Sequence, residues 1–213
     1  MQLNDRIKRA CPFALLFTLC LGTAGYAIRY LLLDPDLANS FDVRYARAAQ
    51  PAIGGHFFYG GAALAIGPLQ LLRRIRQRWP QIHRTLGLLY TCCVGIAGVS
   101  ALAIAPQAAT GAAASAFTVL AMLWLTITGL AWQRVLVGDF EGHARWMCRS
   151  IALTSSAVTL RIILGLGIPV AGLPFDLVYG TAAWSCWIIN LLLCELLLRR
   201  TFGRSWESRL RDV

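Results

Sequence analysis

Six long apolar segments constrain this chain more than any other feature, and most of the arginines lie outside them. The segments run over 11–33, 53–72, 85–105, 112–135, 147–168 and 177–198. A helix needs about 20 mainly apolar residues to cross the hydrocarbon core of a bilayer. In lipid, only helices and closed barrels bond every backbone polar group within the chain. The sequence therefore predicts an all-α, polytopic membrane bundle of six transmembrane helices.

Composition supports the same class of protein. Hydrophobic residues make up 57% of the 213 residues and charged residues only 14%, whereas a soluble domain is typically about 25% charged. No internal repeat or low-complexity linker divides the chain. We therefore expect one integral membrane domain over 1–213, in contact with the lipid bilayer.

The charges in the connections alternate along the chain. Basic side chains occupy the N-terminus, the stretch between the second and third segments, the stretch between the fourth and fifth, and the C-terminal tail. The connection near 106–111 has no charge, and the one near 169–176 has a single acid. Cytoplasmic loops carry the excess of arginine and lysine in membrane proteins. Both termini are therefore predicted to be cytoplasmic, and the 20 basic against 10 acidic residues indicate orientation rather than a nucleic-acid partner.

The three histidines fall at two predicted depths. His83 opens the third segment and His143 precedes the fifth, both on the cytoplasmic side, while His56 lies near the outer surface. Arg161 follows His143 by 18 residues and is expected in the outer half, at the level of His56. Polar groups inside a membrane are costly and usually face the bundle interior.

Two histidines at one level on two helices match the axial ligands of a b-type haem. His83 and His143 are therefore the predicted ligands of haem b, with Gly67 and Gly87 leaving room for the flat macrocycle. The predicted contacts of its propionates are Arg84, Arg145 and Arg149. The alternative is that these side chains only cap helices or touch lipid headgroups.

The outer residues carry a second set of hypotheses. His56 is a candidate proton-relay or quinone-contacting group, or else a side chain that is hydrogen-bonded within the bundle. Arg161 needs a partner, for which Asp176, Tyr179 and the acids of the first connection are candidates, or it binds a quinone or an anionic substrate. Asp139 is predicted to cap the fifth helix, with Glu141 in its first turn.

Other site chemistries find no support. The seven cysteines include no Cys-x-x-Cys pair, so they are interpreted as small apolar core residues. Three histidines at two depths cannot close a tetrahedral zinc site. No phosphate-binding loop, nucleophile elbow or His-Glu-x-x-His motif occurs.

Three stretches carry a family resemblance: GHFFYGGAALAIGPLQ, then IHRTLGLLY, then GDFEGHARWMCRSIALTSSAVTLR. With AWSCWIINLLLCE further on, they resemble a bacterial family of membrane proteins known as domain of unknown function 2306, over about 53–198. The resemblance implies a multi-pass protein of the bacterial cytoplasmic (inner) membrane. The layout of histidines is also similar to that of membrane b-type cytochromes, but a fourth histidine, needed for two haems, is missing.

Three functions remain open at this point. The first is a small redox component that binds haem through His83 and His143 and exchanges electrons with quinone or a membrane redox complex. The second is a transporter or channel-like protein with His56, Arg161 and Asn190 along a polar path. The third is a non-catalytic subunit or assembly factor of a membrane complex. Hydropathy and charge do not separate them, nor do they decide whether the protein is an enzyme.

Overall fold

The computed structural model describes residues 3–32 and 50–211, and every regular element within these ranges is helical. The all-α prediction is thereby confirmed for this part of the chain. In chain order the elements are α1 (Leu3–Leu32), α2 (Gln50–Gln70), α3 (Arg73–Arg78), α4 (Pro80–Ile104), a 3-10 turn (Ala105–Gln107), α5 (Gly111–Leu136), α6 (Phe140–Thr154), α7 (Ser156–Ala171) and α8 (Phe175–Arg211).

Within the described residues, four helical stretches are long and apolar enough to cross a membrane: Pro80–Gln107, Gly111–Leu136, Phe140–Gly167 and Phe175–Thr201. They correspond to the third to sixth predicted spans. The first two predicted spans are helices, but they do not meet the same criteria of length and hydropathy. The apolar part of α1 is the shorter stretch Phe13–Arg29, and five glycines, two prolines and His56 dilute the hydropathy of α2.

The helix starts follow local sequence signals. α4 begins at Pro80, where a missing N–H and a fixed φ suit the first turn. α6 begins after Asp139, whose carboxylate accepts a hydrogen bond of 2.8 Å from the backbone N–H of Gly142. Glu141 occupies the first turn of α6, near the positive end of the helix dipole. The predicted cap is confirmed.

The fifth predicted span is interrupted at Ser155, which separates α6 from α7. The hydroxyls of Thr154, Ser155 and Ser156 turn back to the carbonyls of Ser150, Ile151 and Ala152. Hydroxyls that bond the carbonyl four residues earlier compete with the helical ladder and bend helices. Three such residues in succession account for an irregularity that hydropathy does not show.

α2 and α4 pack antiparallel through their small residues. A Cβ at Gly60 would lie 3.9 Å from that of Ala97, and one at Gly67 would lie 3.2 Å from the Tyr90 ring. Gln70 approaches Gly87 one turn further down. The small and polar face of α2 therefore packs on α4, and its glycines permit the close approach.

One buried cluster forms the centre of the bundle and draws on α2, α4, α5, α6 and α8. Its largest members are Tyr90, Trp124 and Trp187. Four of the seven cysteines, Cys20, Cys93, Cys186 and Cys194, are buried, as expected for small apolar residues.

α8 is longer than a membrane crossing requires. Its 37 residues correspond to about 55 Å of helix, against about 30 Å of hydrocarbon. The predicted span ends at residue 198, but the helix continues to Arg211. The basic C-terminal segment is therefore a continuation of the helix rather than a separate tail.

Candidate functional site

The contacts of Tyr90 between α4 and α6, two helices that run in the same direction, place His83 and His143 at the same level. The Tyr90 hydroxyl of α4 lies 2.8 Å from Ser150 Oγ and 2.7 Å from Thr154 Oγ1 of α6. His83 precedes Tyr90 by seven residues, and His143 precedes Ser150 by seven. Each histidine therefore lies two helical turns before the Tyr90–Ser150 contact, so both imidazoles are at one depth. They lie within electrostatic range of each other there.

The imidazole of His143 is held in one orientation. Its Nδ1 lies 2.8 Å from the carbonyl oxygen of Ala131 on α5. A carbonyl only accepts, so Nδ1 carries the proton and Nε2 keeps its lone pair. Histidines that bind metals are commonly fixed through the other ring nitrogen in this way.

His83 lies half-buried at the start of α4, and its Nδ1 is buried with no hydrogen-bond partner among residues 3–32 and 50–211. Arg76 of the short basic helix α3 is within electrostatic range of the ring. Its positive charge favours neutral imidazole, which is the form that binds a metal.

A buried polar network joins α4, α5 and α6 two turns above the histidines. Thr154 Oγ1 accepts from Trp124 Nε1 at 2.9 Å and donates to the Ser150 carbonyl at 2.9 Å. Thr128 Oγ1 lies 2.6 Å from Ser150 Oγ and 2.7 Å from the Trp124 carbonyl. When the two contacts of the Tyr90 hydroxyl are included, the network has six hydrogen-bond contacts. Its four hydroxyls and one indole supply only five donor protons for them.

This proton count predicts a ranking of two substitutions. Tyr90→Phe removes one donor and two contacts, so four donors then serve four contacts, and we expect a loss of about 1 kcal/mol or less. Thr154→Val leaves the Trp124 N–H buried without its acceptor, and we expect about 1–3 kcal/mol. Unfolding of the purified variants in mixed micelles measures both.

Thr181→Val is the matched control, because the Thr181 hydroxyl is exposed and bonds only carbonyls of its own helix. Equal losses for Tyr90→Phe and Thr154→Val would contradict the network as described.

The arginines predicted to meet propionates differ in their surroundings. Arg84 is exposed next to His83, whereas Arg145 pairs with Glu141 of its own helix. Arg149 is half-buried and donates two hydrogen bonds to Glu195 of α8, Nε to Oε1 at 2.5 Å and Nη2 to Oε2 at 3.1 Å. Glu195 thus neutralises the charge of Arg149 and occupies two of its five N–H donors.

His56 and Arg161 lie together at the opposite end of the bundle, within electrostatic range of each other. His56 Nδ1 is 3.0 Å from the Ala97 carbonyl, which stands 14 residues along α4 from His83, or about 21 Å. Arg161 donates to the Ala157 carbonyl at 2.9 Å, and its guanidinium lies 5.5 Å from the Tyr26 ring of α1. The candidate acids of the first connection, 34, 36 and 42, lie outside the described residues.

Asn190, placed on the hypothetical polar path, is bonded at both ends of its amide. Its Nδ2 donates to the Ala152 carbonyl at 3.1 Å, and its Oδ1 accepts from Thr159 Oγ1 at 2.9 Å. Asn190 thus joins α6, α7 and α8 where the span is interrupted.

The comparison with known families agrees with the resemblance seen in the sequence. A family model described as predicted membrane protein, domain of unknown function 2306, matches residues 53–198. The chain belongs to this family. No curated protein and no solved structure matches it. Both histidine levels and Glu195 lie inside the part that the family model covers.

Sequence reasoning missed Gln70 as a site residue. Gln70 is only 6% exposed, and its Nε2 is buried without a hydrogen-bond partner in the described part of the chain. The sequence feature that could have identified Gln70 is an amide in the last turn of an apolar helix, because burying a polar group without a partner is costly. Within the described ranges, no group of three or more His, Cys, Asp or Glu side chains is placed to hold a metal ion.

Proposed function

We propose that this family member is a small redox protein of the membrane that holds haem b between His83 of α4 and His143 of α6. The observation that carries the proposal is the parallel register of α4 and α6, which brings the two imidazoles to one level with His143 fixed through Nδ1 to Ala131. Bound there, haem would supply one-electron chemistry.

The donor set fits a haem better than a free metal ion. A structural zinc site needs four protein ligands and a catalytic one needs three, and the two imidazoles supply only two. A macrocycle supplies the other four nitrogens around iron, so two histidines complete its coordination. The space beside Gly87, one turn above His83 on the same face, is occupied by the Gln70 carboxamide, which would therefore border a ring bound at His83.

The charges around the histidines suit the propionates. Arg84 is exposed at the membrane border and free of the ion pair that engages Arg149. Arg76 of α3 adds positive charge close to His83. Charge-assisted hydrogen bonds to carboxylates are about twice as strong as neutral ones. Because Arg149 already pairs with Glu195, Arg84 is a stronger candidate than Arg149.

The outer pair, His56 and Arg161, is the candidate contact for a quinone or a redox partner. Arg161 supplies donors for a carbonyl oxygen, and the His56 ring is fixed through Nδ1 so that Nε2 keeps its lone pair. Because this pair lies about 21 Å from His83 along α4, the quinone proposal is tested apart from the haem proposal.

The packing at Asn190 weighs against the transporter or channel-like alternative. Both ends of its amide are bonded within the bundle, and the hydroxyl network nearer the histidines is buried. A non-catalytic subunit or assembly factor stays the alternative if no cofactor binds.

A visible spectrum of the purified protein tests the haem proposal. The full chain is expressed with ample haem, purified in detergent and measured oxidised and then reduced with dithionite. We expect a Soret band that shifts on reduction, with the α and β bands of six-coordinate haem b. Protein without a Soret band would overturn the proposal.

The proposal includes six spans with both termini in the cytoplasm of a bacterial inner membrane. The packing of α2 supports a crossing by this helix, because its contacts with α4 extend from Ala97 to Gly87, although its hydropathy falls short of that of the four long spans.

Cysteine labelling tests this topology. Single cysteines replace exposed residues in a cysteine-free background and are labelled with an impermeant maleimide. Positions 51, 109 and 173 should react in intact cells, and 77, 137 and 201 only after lysis.

The result at position 77 decides the status of α2. Labelling of positions 51 and 77 from the same side would show that α2 does not cross. Labelling of 77 and 137 from opposite sides would separate His83 from His143 and contradict the histidine site as well.

A further inference from the structure

We propose that Gln70 is a haem-binding residue, whose carboxamide N–H donates a hydrogen bond to a propionate carboxylate of the group held between His83 and His143. The inference rests on the proposed function and adds to it a contact from a third helix, α2. It starts from two buried polar atoms, Gln70 Nε2 and His83 Nδ1, neither of which has a partner in residues 3–32 and 50–211.

The side chain of Gln70 reaches across to α4. Its Oε1 lies 3.6 Å from where a Cβ at Gly87 would stand, and Gly87 is one turn above His83 on the same face of α4. The Gln70 carboxamide therefore occupies the space beside Gly87, where its Nε2 lies buried without a partner, and only 6% of the residue is exposed.

The need for a partner is physical. Burying an amide without a hydrogen bond is unfavourable, and such groups are rare in native proteins. A bound group that brings an acceptor oxygen removes this cost. On haem, the oxygen acceptors are the propionate carboxylates, which also suit the positive charge of Arg76 beside His83.

Gln70→Leu tests the contact in both states of the full-length protein. In the haem-free protein we expect unchanged or higher thermal stability, because an unpartnered buried amide is replaced by an apolar side chain. In titrations with haemin we expect affinity to fall about 10- to 100-fold, the loss of one hydrogen bond to a charged group. A residue with only a structural role would instead lower stability in both states.

Gln133→Leu is the matched control, since Gln133 is exposed on α5 at the cytoplasmic end, and we expect it to change neither quantity. Gln70→Met keeps the side-chain length and serves if the leucine variant fails to fold. Wild-type haem affinity in the Gln70 variants would overturn this inference and leave the haem proposal standing. A wild-type protein that binds no haem would overturn both, and lower stability of the haem-free variants would mark Gln70 as structural only.

Discussion

Replacing either His83 or His143 with alanine should abolish the Soret band of the protein, whereas His56→Ala should leave it in place. Each imidazole is a proposed axial ligand, and iron held from one side only becomes five-coordinate and is lost or converted to a high-spin spectrum. His56 lies about 21 Å away along α4 and bonds the Ala97 carbonyl. Spectra of the three variants, normalised to protein, measure the effect.

Added imidazole provides a control for folding. Alanine in place of a ligand leaves space at the iron, so free imidazole should restore the six-coordinate spectrum in His83→Ala and His143→Ala. A wild-type spectrum in either variant would exclude that histidine as a ligand. Loss of the band in His56→Ala alone would move the haem to the outer end of the bundle.

Gly98→Leu should strongly destabilise the bundle, whereas Gly95→Leu on the same helix should not. A Cβ at Gly98 would stand 2.6 Å from Cδ2 and 2.7 Å from Cγ of Leu125 on α5, while one at Gly95 meets nothing within 4 Å. Overpacking a close helix contact costs about 1–3 kcal/mol, occasionally more. Removing a glycine from a helix interior gains up to about 1 kcal/mol, so Gly95→Leu should be neutral or stabilising.

Leu125→Ala supplies the test of mechanism. Combined with Gly98→Leu it should restore much of the lost stability, because the space vacated on α5 admits the new side chain. Unfolding in mixed micelles, with the three single variants and the double variant, completes the cycle. Equal stabilities of Gly98→Leu and Gly95→Leu would contradict the α4–α5 packing.

The sequence predicted the features that depend on local chemistry. The limits of α5 at Gly111–Leu136 agree with the predicted 112–135 within one residue, because a span is defined by its hydropathy. The start of α4 at Pro80 and the cap at Asp139 follow from backbone preferences of single residues. The shared level of His83 and His143 followed from their positions at the starts of two spans that run in the same direction.

Features that depend on packing between helices could not be predicted. The sequence does not show that Glu195 pairs with Arg149, because 46 residues separate them. Trp124 and Thr128 looked like ordinary span residues, yet the Trp124 N–H donates to Thr154 and the Thr128 hydroxyl lies within hydrogen-bond distance of Ser150, both on α6. The direction of the Gln70 amide likewise depends on the register of α2 against α4, which hydropathy leaves undefined.

The interruption at Ser155 divides the fifth predicted span between two sets of neighbours. The lower half, α6, is fixed to α4 and α5 by hydroxyl contacts at Ser150 and Thr154. The upper half, α7, lies against α8 and α1, where Arg161 meets Tyr26. Asn190 of α8 nevertheless bonds both halves, through the Ala152 carbonyl of α6 and the Thr159 hydroxyl of α7. A displacement of either half would therefore have to break this amide contact or carry α8 along with it.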